Sequence, residues 1–529
     1  MTVAARHAIP APLSFLAISA ASFVSLPLFY VAYLALTADS AIWGRLWHTR
    51  IPELLWNTGT LALGVAVGTL VLGVSLAWLI TRYEFPGRRI WEWALVLPLA
   101  MPTYVLAYVY AHLMSPGGPL PLLSPHSYAG VTLVMTLDTF PFVYLLARAA
   151  LLNLNVSFEE VARACGVSRM QTMLRVTLPL LRPALVAGLS LVVLYVVSDF
   201  GAVSLLRFQT LTYAVYQQMT GRYDYMAASV LSLLLVLFAL AFLITERWFR
   251  HRSRYYQTAG RYRTADRVRC SFWGTSILTG YLVAVFAAAF GIPASLLLKW
   301  TLAAMSQGAL DQRFFGFMWN SSVLSGAAAT CGVLLGVPLA YLASRHPSRL
   351  NLLCLHATHA GYVLPGPVGA LALLALFSQI APFWYGTIVV LVVAYVVHFL
   401  PAGLQSLEPA LQQVTPNLEE ASRSLGLSTT RTLKRVTLPL VRGGFTAAWV
   451  LIFLQSMKEL PATLLLRPVG FDTLAVRVWL EASEEYYELA APSALLIVLI
   501  SLPALWLLIA KDWRAGTHQD RIGPGAVAV

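Results

Sequence analysis

The chain has 529 residues, 58% of them hydrophobic and 11% charged, with a formal net charge of +13 and a mean hydropathy of +0.71. Soluble domains carry about 25% charged residues, so the composition excludes a water-soluble protein and makes the bilayer the solvent to reason in. The positive charge would raise nucleic acid as a partner, but its confinement to particular loops points instead to membrane orientation, with lipid headgroups as neighbours.

In chain order, the first apolar run spans Pro12 to Thr37 behind the single Arg6. It exceeds the ~7–15 residue core of a cleavable signal peptide and reads as a retained span. Crossing the ~30 Å hydrocarbon layer takes roughly 20 apolar residues, and about twelve such stretches follow one another to the end of the chain. The expected class is therefore an all-α integral membrane protein. Basic loops lie at Thr81 to Arg89, Arg247 to Arg269 and Ser344 to Arg349, whereas Ser115 to Ser127 has no Lys or Arg and Glu481 to Glu488 is acidic. Counting spans puts the basic loops on one side, so the positive-inside rule predicts cytoplasmic N- and C-termini. Cys165, Cys270, Cys331 and Cys354 are scattered without CxxC spacing, which indicates neither a disulfide framework nor a zinc site.

The chain repeats itself. FEEVARACGVSRMQTMLRVTLPLLRP, from Phe158, has a counterpart in LEEASRSLGLSTTRTLKRVTLPLVRG, from Leu418, in which Glu160, Gly166 and Pro179 align with Glu420, Gly426 and Pro439. Upstream, WNTGTLALGVAVGTLVLGVSLAWLITR from Trp56 parallels WNSSVLSGAAATCGVLLGVPLAYLASR from Trp319; downstream, SDFGAVSLLR from Ser198 parallels KELPATLLLR from Lys458. About six spans per half, an even number, make the copies parallel rather than inverted. The predicted organisation is a first half over 1–250, a basic cytoplasmic linker over 251–270, a second half over 271–515 and a cytoplasmic tail over 516–529.

Within each repeated loop, Phe158, Val161, Ala162 and Cys165 share the i, i+3, i+4, i+7 spacing of one helical face, as do Leu418, Ala421, Ser422 and Leu425. Glu159 and Glu160 fall in the first turn, where carboxylates suit the positive helix end. Gly166 suits a left-handed exit, Ser168 and Ser428 suit N-caps of a second helix, and Leu178-Pro179 opens the next span. A plain connector would not need this pattern twice; a partner met twice would.

The two stretches resemble the EAA loop of permease subunits in binding-protein-dependent ABC importers, with Val161 replacing the first Ala of one copy and Ser422 the second Ala of the other. The EAA loops would occupy about 153–179 and 411–439. The resemblance implies a coupling helix seated on an ATPase, carried by Glu159, Glu160, Ala162, Gly166 and Pro179 and by Glu419, Glu420, Ala421, Gly426 and Pro439. It further implies two ABC ATPase subunits on the cytoplasmic side, a periplasmic substrate-binding protein, and location in a bacterial inner membrane. ATP and Mg would be held by the ATPase partner, with no cofactor on this chain. The sequence agrees: a P-loop needs Lys after Gly, and Lys299, Lys434, Lys458 and Lys511 follow Leu, Leu, Met and Ala.

Ionisable groups inside apolar spans default to functional hypotheses. Asp199, Lys458 and Glu459 qualify as translocation-pathway candidates, with structural ion pairing at helix ends as the alternative. Their contexts, SDFGAVSLLR and MKELPATLLLRPVGFDTLAVR, resemble the ferric-iron branch of these fused permeases, which implies Fe³⁺ as cargo; thiamine, phosphonate, sulfate and polyamine remain open. Tyr223, Asp224, Tyr486 and Glu488 lie in outward loops and are candidates for docking the binding protein, or ordinary interfacial residues. His356 and His359 share a helical face, and hydrogen bonding between helices is expected of them rather than a metal site. No catalytic set of side chains stands out. An ion-coupled secondary transporter of twelve spans is the alternative from another class.

Overall fold

In hydrocarbon the backbone has no water to bond, so a spanning segment must satisfy its own N–H and C=O groups, and a helix does so within one segment. The computed structural model describes residues 11–121, 123–251, 267–308, 312–361 and 364–521. Among these, nine helices are long and apolar enough to cross a membrane, and a tenth span forms if Arg88–Ala100 and Thr103–Met114 are counted together across their 93° bend. Gly366–Ile380 and Tyr487–Pro503 are shorter apolar helices. The bend falls at Met101-Pro102, where the residue before a proline is pushed out of helical backbone; Met101 is extended, at φ −88° and ψ 129°. Most of the predicted basic linker and the end of the tail lie outside the described residues. The last linker residues form a short parallel ladder, Tyr83–Glu84 with Val268–Arg269.

The compact units do not follow the sequence halves. One unit comprises Met1–Ala38, Leu310–Arg477 and Leu499–Val529; the other comprises Asp39–Ala309 and Val478–Val498. The first span of each half thus packs among the helices of the other half. In the first unit the reason is a stripe of small residues, Ala17, Ala20, Ala21 and Val24, at the spacing of one helical face. Small side chains let helix backbones approach closely, and this stripe meets Leu339, Leu342, Leu355 and Leu400 in one buried cluster. In the second unit, Tyr281 on Phe272–Phe286 shares a 2.8 Å hydrogen bond with Ser75, and the Tyr110 hydroxyl donates to the Ala288 carbonyl at 2.8 Å.

A second close approach sets the frame of that unit. Ile51–Arg82 crosses Tyr128–Leu152 at Gly73, where a Cβ would meet Val143 Cβ at 2.7 Å and the Tyr144 backbone nitrogen at 2.9 Å. Backbone on one side leaves no room to yield, so only glycine permits this crossing. It fixes the end of Ile51–Arg82, and with it Arg82, beside the chain leaving Tyr128–Leu152.

Candidate functional site

That chain enters the repeated hairpin. Ser157–Ala164 forms its first helix and ends on Gly166, at φ +81°, with Gly166 N–H donating to Arg163 O at 3.0 Å and Val167 N–H to Ala162 O at 3.1 Å. This paired reverse bonding is the Schellman turn, whose left-handed residue is best supplied by glycine. Gly426 repeats it at φ +88° after Pro416–Ser424. Ser168 Oγ then accepts from Gln171 N–H at 3.3 Å while Ser168 N–H donates to Gln171 Oε1 at 3.4 Å. This is a reciprocal capping box. Ser428 Oγ caps the second copy, accepting from Arg431 N–H at 3.4 Å.

The hairpin runs on into the next span through one π turn, Met173–Thr177 and again Leu433–Thr437. Pro179 and Pro439 follow in the first turn of the span helices and have no N–H to give the preceding turn. Wide turns of this kind are rare and recur at functional positions.

Adjacent carboxylates in the hairpin have opposite fates. Glu159 is only 7% exposed and its Oε1 accepts from Arg82 Nη2 at 2.5 Å and from the Thr177 hydroxyl at 2.9 Å. Glu419, 2% exposed, accepts from Arg345 Nε at 2.9 Å, from Thr437 at 3.1 Å and from the Tyr341 hydroxyl at 3.2 Å. Each buried carboxylate therefore joins three pieces: the end of the second span in its half, the first hairpin helix, and the residue that opens the next span. The expectation of four equivalent docking charges divides here. Glu159 and Glu419 are turned into the protein by their arginines, whereas Glu160 is half-buried and Glu420 exposed. Of the other predicted coupling residues, Ala162 and Pro179 are half-buried, while Gly166, Ala421, Gly426 and Pro439 are exposed.

Arg82, Arg345, Thr177 and Thr437 escaped the sequence reading as functional residues. The signal was present: each arginine ends its copy of the aligned second span, and each threonine precedes Leu-Pro in both hairpins. The hairpin's apolar stripe is not covered. Val161 is 63% and Leu425 86% exposed, with Phe158, Met170, Leu174 and Leu418 also open.

The pathway candidates occupy matched caps. Asp199 Oδ2 accepts from the N–H groups of Ala202 and Val203 at 2.9 and 3.4 Å, capping the short helix Gly201–Leu205, and Oδ1 accepts from the Thr103 hydroxyl at 2.6 Å. Glu459 Oε1 accepts from Ala462 N–H at 3.0 Å and caps Pro461–Leu466. Lys458 beside it is half-buried. These acids hold the short helices that follow Leu178–Ser198 and Leu438–Met457.

Of the predicted docking residues, Tyr223 and Tyr486 are well exposed, as is Glu488. Asp224 caps the helix Tyr225–His251 through Ala227 N–H at 2.9 Å and pairs with Arg45 at 3.1 Å. All four belong to the second unit. His359 shares a 2.8 Å hydrogen bond with Glu408, while His356 is exposed.

The description "binding-protein-dependent transport system inner membrane component" matches the chain twice, over residues 69–255 and 332–512. Each matched segment contains one of the hairpins. The Fe(3+)-transport system permease protein FbpB 2 of Haemophilus influenzae is 32% identical over 466 residues, covering 88% of this chain and 90% of that protein. The ferric transport system permease protein FbpB of Actinobacillus pleuropneumoniae is 24% identical over 419 residues, 75% of this chain and 60% of its own length. The sulfate transport system permease protein CysT of Salmonella typhimurium is 34% identical over 134 residues, 24% of this chain and 48% of its own. A helical chain with many spans, a duplicated hairpin and this double match belongs to the family of multi-pass inner membrane components of binding-protein-dependent transport systems, a transport permease and not an enzyme.

Proposed function

We propose that this chain supplies both transmembrane halves of an ATP-driven importer for ferric iron in one polypeptide. Its twelve spans are the nine long helices, the bent pair and the two shorter apolar helices. The hairpins are EAA-type coupling loops facing the cytoplasm, as are both termini. Each loop seats on one ABC ATPase subunit, which holds the ATP and Mg, and a periplasmic binding protein delivers the cargo to the opposite face.

The observation that carries this reading is the repeated hairpin itself. Exposed Val161 and Leu425 sit above a carboxylate clamp that is buried in both copies. An uncovered apolar patch on an otherwise rigidly held element marks a surface for a partner. The clamp makes that surface move with the spans: Arg82 and Arg345 end one span, and Thr177 and Thr437 open another. ATPase closure pushing on the hairpin is thereby delivered to two spans at once. Ferric iron as cargo rests on the relative that matches along almost its whole length; the sulfate relatives match about a third of this chain or less.

Reversing Glu160 and Glu420 together to Lys changes the outward face and leaves both clamps intact. In the reconstituted complex this variant is expected to hydrolyse ATP without importing iron. Uptake still coupled to hydrolysis would refute the coupling role, and uptake by the isolated chain without ATP would favour an ion-gradient transporter.

A further inference from the structure

At the end of the second unit away from the hairpin, the loop before Tyr128–Leu152 borders a cavity of about 910 Å³. Its lining includes Tyr108, Arg207, Tyr213, Trp479, Glu485 and Tyr487, all from this one unit. Three observations set it apart from an accidental void.

The first is Arg207. It stands at φ +53°, in the left-handed position of a Schellman turn: Arg207 N–H donates to Ser204 O at 3.2 Å and Phe208 N–H to Val203 O at 2.9 Å. Glycine is the ordinary choice there, and a non-glycine residue is strained. The aligned Arg467 has an ordinary φ of −62° and pairs with Asp472. Asp472 lies in a loop three residues longer than its counterpart in the first half. Arg207, an exposed residue of the cavity lining, has no such loop, and its guanidinium has no hydrogen-bond or ion-pair partner among the described residues. The first half thus keeps an arginine in a strained conformation and omits the carboxylate that neutralises it in the second.

The second is Tyr108. Its side chain is 1% exposed, yet its hydroxyl bonds to nothing among the described residues. The ring is locked in place, nearly parallel to Tyr487 at 6.0 Å and stacked on Trp300 at 6.0 Å. A buried hydroxyl without a partner is costly. Its aligned position in the second half is Leu371, which is fully buried and needs no partner.

The third is size. At about 30 Å³ per water, an ion with six waters fills about 200 Å³. The cavity is several times larger than a hydrated ion needs, and its lining carries the cationic Arg207 beside the Glu485 carboxylate. A hard ion held by oxyanion ligands, by contrast, presents oxygens to a guanidinium and a hydroxyl, and has the required bulk.

We propose that this cavity receives the ferric ion as an oxyanion complex, with Arg207 and the Tyr108 hydroxyl binding the anion's oxygens. The inference rests on the ferric reading above. The hydroxyls of Tyr213 and Tyr487 belong to the same lining and can donate to the anion's oxygens, which the Glu485 carboxylate cannot. Arg207 and Tyr108 come from the first half, and Trp479, Glu485 and Tyr487 of the lining come from the second half.

Equilibrium dialysis of radiolabelled ferric citrate against the full chain with its ATPase partner in lipid nanodiscs tests it. Wild type is expected to bind ferric citrate, and Arg207→Gly and Tyr108→Phe to bind it about tenfold more weakly, as loss of one charge-assisted hydrogen bond predicts. Arg207→Gly relaxes the backbone, so its thermal unfolding should be unchanged or raised, which separates lost binding from lost fold. Binding equal to wild type in both variants overturns the proposal, as does iron uptake at the wild-type rate through Arg207→Gly; either result leaves the ferric reading standing. Sulfate binding in place of ferric citrate, with no iron uptake by the wild type, overturns the cargo and the ferric reading together.

Discussion

The two carboxylate clamps come from one duplicated sequence and do the same work with different parts. In the first half Arg82 reaches Glu159 through one nitrogen, its Nε bonds to nothing among the described residues, and its guanidinium lies over the Trp78 ring at 5.2 Å. In the second half the aromatic residue aligned with Trp78 is Tyr341, which bonds Glu419 directly, and Arg345 also donates to the carbonyls of Leu411 at 3.2 Å and Val414 at 2.7 Å. One clamp is a stacked ion pair, the other a hydrogen-bonded net. What both copies share is the topology of the joint, carboxylate to arginine to threonine, while the bonds that build it differ.

The comparison breaks most readily at the second clamp. Arg345→Met leaves Glu419 buried without its cation and frees two carbonyls; about 3–5 kcal/mol of local stability should be lost. Hydrogen exchange across 411–437 reads this, and Arg82→Met should show a smaller loss across 153–177. Equal losses would mean the extra bonds of the second clamp contribute nothing. Next in size, Thr177→Val and Thr437→Val each remove a hydrogen bond to a charged group, about 1.5–3 kcal/mol. With Glu160 and Glu420 untouched, ATPase activity should continue while the ratio of iron imported to ATP hydrolysed falls; an unchanged ratio would separate the clamp from coupling. Gly166→Val places a β-branched residue at φ +81°, for about 1–2 kcal/mol, with lower ATPase binding in pull-down as the readout. Smallest is Asp472→Asn: its pair with Arg467 is about a quarter exposed on both sides, so thermal unfolding should register no more than about 1 kcal/mol.

Much of the molecule was legible because its signals are local or repeated. Hydropathy located the spans, and the duplicated stretch located the hairpin, with glycine, serine and proline at the positions their backbone preferences require. The division of labour between Glu159 and Glu160 was not legible from the loop alone. Two adjacent residues on a helix point about 100° apart, and which one faces inward depends on Arg82, a residue distant in sequence. Asp199 and Glu459 show the same limit. An acid at the end of an apolar span reads as a pathway residue, but two N–H groups of a following short helix already occupy Asp199. The bend at Pro102 places Thr103 within 2.6 Å of it, a contact with no local signature. The unpaired state of Arg207 is visible only by comparing its loop with the longer one after Arg467.

The least legible feature was the exchange of first spans, since nothing in an apolar run says which set of helices it will join. Trading the same element between two copies is what a domain-swapped homodimer does. In this chain the trade is internal, and the polypeptide passes between the two units at residues 38–39, 309–310, 477–478 and 498–499. Cutting the linker between the halves would therefore not release two self-sufficient pieces. Each fragment would still carry the other's missing helix, so the nicked protein should behave as an interlaced heterodimer that needs both fragments to fold.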